Sequence, residues 1–156
     1  MPAPLHLAVA ADHHGVELKA RFIDHLIDRG HLIEDLGTNG TEIVDYPPLC
    51  AAACGRVTSG HADVGIVIGG SGQGEVIACN KVRGIRAGLA YSRFAVEISR
   101  GNNDANVMVV GAKVVNASEA VGLLDLWLTT PFKGGVHRSR VAQIGQLEGP
   151  AGRTGP

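Results

Sequence analysis

The chain has 156 residues, with 14 Lys and Arg against 15 Asp and Glu for a net charge of −1, and is 45% hydrophobic and 4% aromatic. It lacks the basic excess and the stacking aromatics of a nucleic-acid binder, so a small-molecule ligand is expected and not a polymer. No apolar run approaches the roughly 20 residues of a bilayer span. The start, Met1-Pro2-Ala3-Pro4-Leu5-His6, has no signal-peptide pattern, and the expectation is a soluble cytoplasmic protein that does not contact membrane.

In chain order, Leu5 to Ala10 reads as a strand ending in Ala11-Asp12-His13-His14-Gly15. Leu18, Phe22 and Leu26, widened by Ile23 and Ile27, give the apolar stripe of a helix that stops near Gly30. His31 to Leu36 is a second strand and Gly37-Thr38-Asn39-Gly40 a turn or loop. Asp45-Tyr46-Pro47-Pro48 opens a helix through Val57, since proline is tolerated in a first helical turn. Val64 to Ile68 is a short buried strand, followed by the loop Gly69-Gly70-Ser71-Gly72-Gln73-Gly74 and a helix from Glu75 to Lys81. Ile85 to Ala90 and Asn106 to Val110 are further strands, with helices at Arg93 to Arg100, Ser118 to Leu128 and Val136 to about Leu147.

Strand and helix alternate, which predicts one α/β domain over 1–147: a three-layer, Rossmann-like fold with a mostly parallel five-stranded sheet and helices on both faces. Residues 148–156 read as a disordered Gly/Pro tail. Cys50, Cys54 and Cys79 form no CxxC pair and are read as buried thiols, with neither a cofactor nor a metal.

The glycine-rich loop is the strongest local signal. Four of its six residues are glycine, so backbone N–H groups can approach an anion, and the helix behind it directs its positive dipole end to the same place. Glu75 is then a candidate base beside an anion hole. No frame of the loop fits the dinucleotide fingerprint or the Walker pattern, and the plain alternative is a flexible strand-to-helix connection. Ligands of such sheets bind outside the carboxyl ends of the strands. Three loops are expected to meet there: the one with Asp12 and His13, the glycine loop, and Gly101-Asn102-Asn103-Asp104.

Asp12-His13-His14 resembles the DHH phosphoesterases, which hydrolyse phosphate esters on metal ions, but that family needs further aspartates and a second domain. Asp12 also suits a helix N-cap, and either histidine suits a loop facing water.

The ordered segments Ala10-Ala11-Asp12-His13, Asp45-Tyr46-Pro47, Gly69 to Glu75, Ala78-Cys79-Asn80-Lys81-Val82, Gly84-Ile85-Arg86-Ala87, Asn102 to Val107 and Gly134-Gly135-Val136-His137 together resemble ribose-5-phosphate isomerase B and the related galactose-6-phosphate isomerase subunits. The resemblance spans nearly the whole chain to about Leu147. It implies a metal-independent aldose-ketose isomerase acting on a sugar phosphate through an enediolate. One branch of the family uses a cysteine base at the position of Gly69; another, common in actinobacteria, uses a glutamate that matches Glu75. The resemblance also implies catalytic roles for Ser71, which helps hold the substrate, and for Asp12, which contacts sugar hydroxyls or assists ring opening. Substrate-binding roles follow for Tyr46, Gly70, Gly72 and Gly74, and for Asn102 and Lys113. It implies finally a homodimer, alone or paired into a tetramer, in which His13 meets the C-terminal residues His137 and Arg140 across the interface at the phosphate.

Two departures from the family pattern bear on substrate. Gly101 stands where a ring-opening histidine is usual, and Val136 where the first of two phosphate arginines is usual, leaving Arg140 without its partner. Arg138 lies toward the opposite helix face. Lys113 keeps the charge of a position often held by arginine without the bidentate fork. His14 replaces a small residue. A tetrose or tetrulose 4-phosphate needs no ring opening and fits the loss of the histidine, an unphosphorylated sugar fits the weaker clamp, and ribose 5-phosphate remains suitable if His14 or Asp12 compensates. The rivals are a chelator-sensitive phosphoesterase and a non-catalytic sugar-phosphate binding module.

Overall fold

Strands that are apolar on both faces need cover on both, and every residue of Val64–Gly69 and of Val107–Gly111 is buried. The computed structural model describes residues 3–150. It contains β1 (His6–Ala11), α1 (Val16–Asp28), β2 (Leu32–Asp35), α2 (Tyr46–Thr58), β3 (Val64–Gly69), α3 (Gln73–Asn80), β4 (Ala87–Leu89), α4 (Arg93–Gly101), β5 (Val107–Gly111), α5 (Ala117–Thr129) and α6 (Val136–Gln146). The strands form one sheet in the order β2-β1-β3-β5-β4. All pairings are parallel, with Val9 opposite Ile66 and Ile66 opposite Met108 in register.

The period of two along each strand divides the core. Leu7, Val9, Ile66, Ile68, Met108 and Val110 face α1, α4 and α5, where Phe22, Leu26, Leu124 and Trp127 pack against them. Fully burying one such side chain contributes about 1.5–3 kcal/mol. The other face carries only Ala8 and Ala10 from β1, so α2 and α3 approach closely through the equally small Cys50, Ala53, Cys54 and Cys79. The three cysteines are buried free thiols.

β1 lies between β2 and β3, and the helices that follow β1 and β3 go to opposite faces of the sheet. The connections diverge and leave a crevice at the carboxyl edge. This topology corrects one expectation. The loop of residues 101–104 follows α4, which runs back against the strand direction, so it lies at the amino edge and does not meet the other two loops within the chain.

Two local features were not expected. Lys19 is 2% exposed, and its ammonium donates to Asp35 Oδ1 at 2.5 Å and Asn39 Oδ1 at 2.6 Å. That clamp, with Thr38 N–H donating to the Ala11 carbonyl at 2.7 Å, fixes the loop leading from β2 toward α2. At the other end, Arg83 donates to the Glu148 carbonyl at 3.0 Å and to the Gly149 carbonyl, while the Gly84 N–H donates to the Glu148 carboxylate at 2.8 Å. The first residues of the expected disordered tail are thus held against the α3 to β4 connection. Residues 151–156, which complete that tail, lie outside the described residues, as do residues 1 and 2.

Candidate active site

The crevice at the carboxyl edge is a cleft of about 840 Å³ whose wall includes Asp12, His13, His14, Tyr46, Gly70, Ser71, Gly74, Glu75 and Lys113. Its floor is the turn from β3 into α3. Gly72 adopts φ of +80° there, which favours glycine, and the Ser71 hydroxyl accepts the Gln73 N–H at 3.1 Å to close the turn. Lys113 and Ala112 N–H groups donate to the carbonyls of Gly70 and Gly69, at 2.9 and 2.8 Å, and turn these oxygens away. The amides of Gly70, Ser71 and Gly74 donate to no acceptor among the described residues. Unpaired amides at the start of a helix are suited to an anion.

Glu75 is 4% exposed and sits in the first turn of α3. Its carboxylate fills the space above Gly69: a Cβ added at Gly69 would overlap both oxygens and the carbon between them. Likewise a Cβ on Gly74 would overlap the Tyr46 hydroxyl, so the glycine lets the phenol reach across the helix start. Burial pushes the Glu75 carboxyl above its ordinary value, and the neighbouring Asp12 carboxyl adds to the rise; its own backbone amide and His14 oppose it. A raised acid in a cleft, beside unpaired amides, suits the removal of a proton from carbon and the stabilisation of the resulting oxyanion.

Asp12 does not cap α1. Gly15 stands at that position, and Asp12, 5% exposed, accepts the His14 N–H on Oδ1 at 2.9 Å while facing Glu75. The Val44 N–H donates to His13 Nδ1 at 3.3 Å, which leaves the neutral ring's proton on Nε2. The His13 and His14 rings lie with centroids 4.1 Å apart, tilted by 42°. Among the described residues no three His, Cys, Asp or Glu side chains are grouped to hold a metal ion, so Asp12-His13-His14 does not gain the further ligands of the DHH pattern.

Asn102, His137 and Arg140 lie elsewhere. Asn102 Oδ1 accepts from the Lys133 ammonium at 3.0 Å at the amino edge, and Lys133 Cε lies 3.2 Å from where a Cβ on Gly101 would stand. His137 and Arg140 are on α6, which has no buried residue. A second cleft, of about 750 Å³, lies between α6 and the α3 to β4 connection, but its Arg83 and Arg86 are engaged by Glu148 and by the Asp104 carbonyl.

The sequence model of the Ribose/Galactose Isomerase family matches residues 7–144. The chain belongs to that family. Among its members, ribose-5-phosphate isomerase B of Escherichia coli is 38% identical over 142 residues, covering 91% of this chain and 95% of the relative. The solved ribose-5-phosphate isomerase B of Clostridium thermocellum superposes with a TM-score of 0.90 at 42% identity, over 92% of this chain and 97% of that one. The Mycoplasma genitalium enzyme, solved with bound ribulose 5-phosphate, gives a TM-score of 0.88 at 32% identity, over 92% and 95%. The family's α/β fold is the one described above, and membership makes the chain an aldose-ketose isomerase. Among the described residues no helix is long and apolar enough to cross a membrane.

Lys19 escaped the reading of the sequence because it occupies a helix position beside apolar Leu18, and its partners lie 16 and 20 residues away. Lys133 was overlooked for the same reason, since only the folded chain brings it to Gly101. An unusually charged residue inside an apolar stripe was the one available signal for Lys19.

Proposed function

We propose that the chain interconverts the aldose and ketose forms of a small sugar phosphate through an enediolate, with Glu75 taking the proton from C2. The observation that carries this reading is the placement of the Glu75 carboxylate over Gly69, buried and bordered by the unpaired amides of the glycine turn. The base takes the C2 proton, and the amides of Gly70, Ser71 and Gly74 receive the negative charge that develops on oxygen. Asp12 contacts the sugar hydroxyls and adds to the burial that raises the Glu75 carboxyl. Tyr46 and the Ser71 hydroxyl hold the substrate, and Lys113 with His13 receives the phosphate. The relatives' names favour ribose 5-phosphate and ribulose 5-phosphate as substrates, with a tetrose or tetrulose 4-phosphate as the alternative raised by Gly101.

A homodimer completes this site. Asn102, His137 and Arg140 lie away from their own chain's cleft, and a second copy is the means of bringing them to the phosphate. Deuterium exchange at C2, followed by NMR with ribose 5-phosphate and D- and L-erythrulose 4-phosphate, tests the reading. The expected result is exchange and isomerisation of at least one of these sugars, lost by several orders of magnitude in Glu75→Gln. Full turnover by Glu75→Gln overturns it.

A further inference from the structure

We infer that His14 opens the ring of a cyclic pentose phosphate, a step that precedes enediolate formation; the inference rests on the isomerase reading above and fixes its substrate class. Ribose 5-phosphate is a furanose in water, and its C2 proton becomes acidic only once C1 is a free aldehyde. Opening requires that the ring oxygen O4 receive a proton as the C1–O4 bond breaks and that O1–H lose one as C1=O1 forms.

The cleft holds several proton-bearing groups, and most are already engaged. Glu75 lies deepest, over Gly69, and Asp12 Oδ1 is taken by the His14 amide. His13 accepts the Val44 amide on Nδ1 and, with Lys113, is assigned above to the phosphate. His14 differs from all of these. Its ring lines the same cleft and rests on Gly70, where an added Cβ would lie 3.2 Å from Cδ2. Neither of its ring nitrogens is bonded to an acceptor or donor among the described residues; Asp12 holds the His14 backbone amide, and the ring lies against that of His13 with centroids 4.1 Å apart and a tilt of 42°.

Depth completes the argument. Glu75 is buried whereas His14 is exposed at the mouth, yet His14 is near enough to act electrostatically on Glu75. A furanose entering C1–C2 first presents C2 to the carboxylate and its ring oxygen to the imidazole. The His14 imidazolium gives its proton to O4 as the C1–O4 electron pair moves to O4. A lone pair on O1 closes C1=O1, and the O1–H proton returns to the imidazole. Imidazole exchanges protons near neutral pH, so one group serves both transfers. An acyclic tetrulose phosphate makes no use of it.

The test compares two sugars in deuterated water: ribose 5-phosphate, which must open, and ribulose 5-phosphate, which is already open and exchanges its C1 proton through the enediolate alone. In His14→Gln and His14→Ala the ratio of ribose 5-phosphate consumption to ribulose 5-phosphate exchange should fall about 10²-fold, and added imidazole should restore part of it in His14→Ala. Rescue separates proton transfer from a merely structural role. A ratio within about twofold of the wild type, or a fall that imidazole leaves untouched in His14→Ala, overturns the inference while the Glu75 reading stands. A wild-type chain that exchanges neither pentose phosphate but isomerises an erythrulose 4-phosphate overturns the inference alone, and one that acts on none of these sugars overturns both.

Discussion

Gly69→Ala probes the proposed base, Glu75, without replacing it. Gly69 ends β3 and is not among the glycines with positive φ, so alanine fits the backbone. The added methyl overlaps the Glu75 carboxylate, which must move aside. Displacing a reacting group by about 1 Å costs about 10²-fold in rate, or about 2.7 kcal/mol of transition-state stabilisation. Stability should hardly change, because the clash falls on the free end of a flexible side chain and alanine restricts the unfolded chain by about 0.4–1 kcal/mol. Isomerisation followed by NMR, with urea denaturation of the same samples, should show kcat/KM down about 10²-fold and unfolding free energy within about 1 kcal/mol of the wild type. Activity within threefold of wild type would refute the reasoning, as would a stability loss of several kcal/mol, which would mean that the carboxylate cannot yield.

Because burial raises the Glu75 carboxyl above its ordinary 4.5, and a base in the proposed role must be ionised in the free enzyme, the acid limb of kcat/KM against pH should lie above that value. The stability effect has the opposite sign: the native state holds this proton more tightly than the unfolded chain does. Its contribution is complete below the unfolded carboxyl range and is lost as pH rises through the raised value. Denaturant melts across pH should therefore find Glu75→Gln more stable than wild type above that range and equal to it in acid. Lys19→Met keeps the helix stripe filled but releases Asp35 and Asn39, so amide exchange at Thr38 and Val44 should quicken and KM should rise more than kcat falls; unchanged exchange at both amides counts against the clamp.

Much of the fold was legible because its elements carry unmixed periods. Leu18, Phe22 and Leu26 recur at helical spacing, Val64 to Ile68 is too short and too β-branched for a buried helix, and Pro47 and Pro48 mark a helix start. The glycine turn and Glu75 were readable for a related reason, since a strand, a glycine run and a helix follow in direct succession. The loop of residues 101–104 departs from the expected meeting point because a helix that follows one parallel strand and precedes the next must deliver its end to the amino edge. The overlap of Glu75 with the vacancy at Gly69, the reach of Tyr46 over Gly74 and the Asp12 to Glu75 proximity could not be read, because each depends on side chains converging from different elements.

The shared space between positions 69 and 75 constrains how such a site can change over generations. A chain that acquires a nucleophilic or basic side chain at the end of β3 while keeping Glu75 overfills one small volume, and on the mechanism proposed above a chain that first loses Glu75 has no base. On that mechanism, moving the base from helix to strand crosses a fitness valley in either order of substitution. Lineages on the two sides of that valley should keep their choice of base long after the rest of the cleft has diverged, so the identity of these two positions is a record of descent more than of substrate.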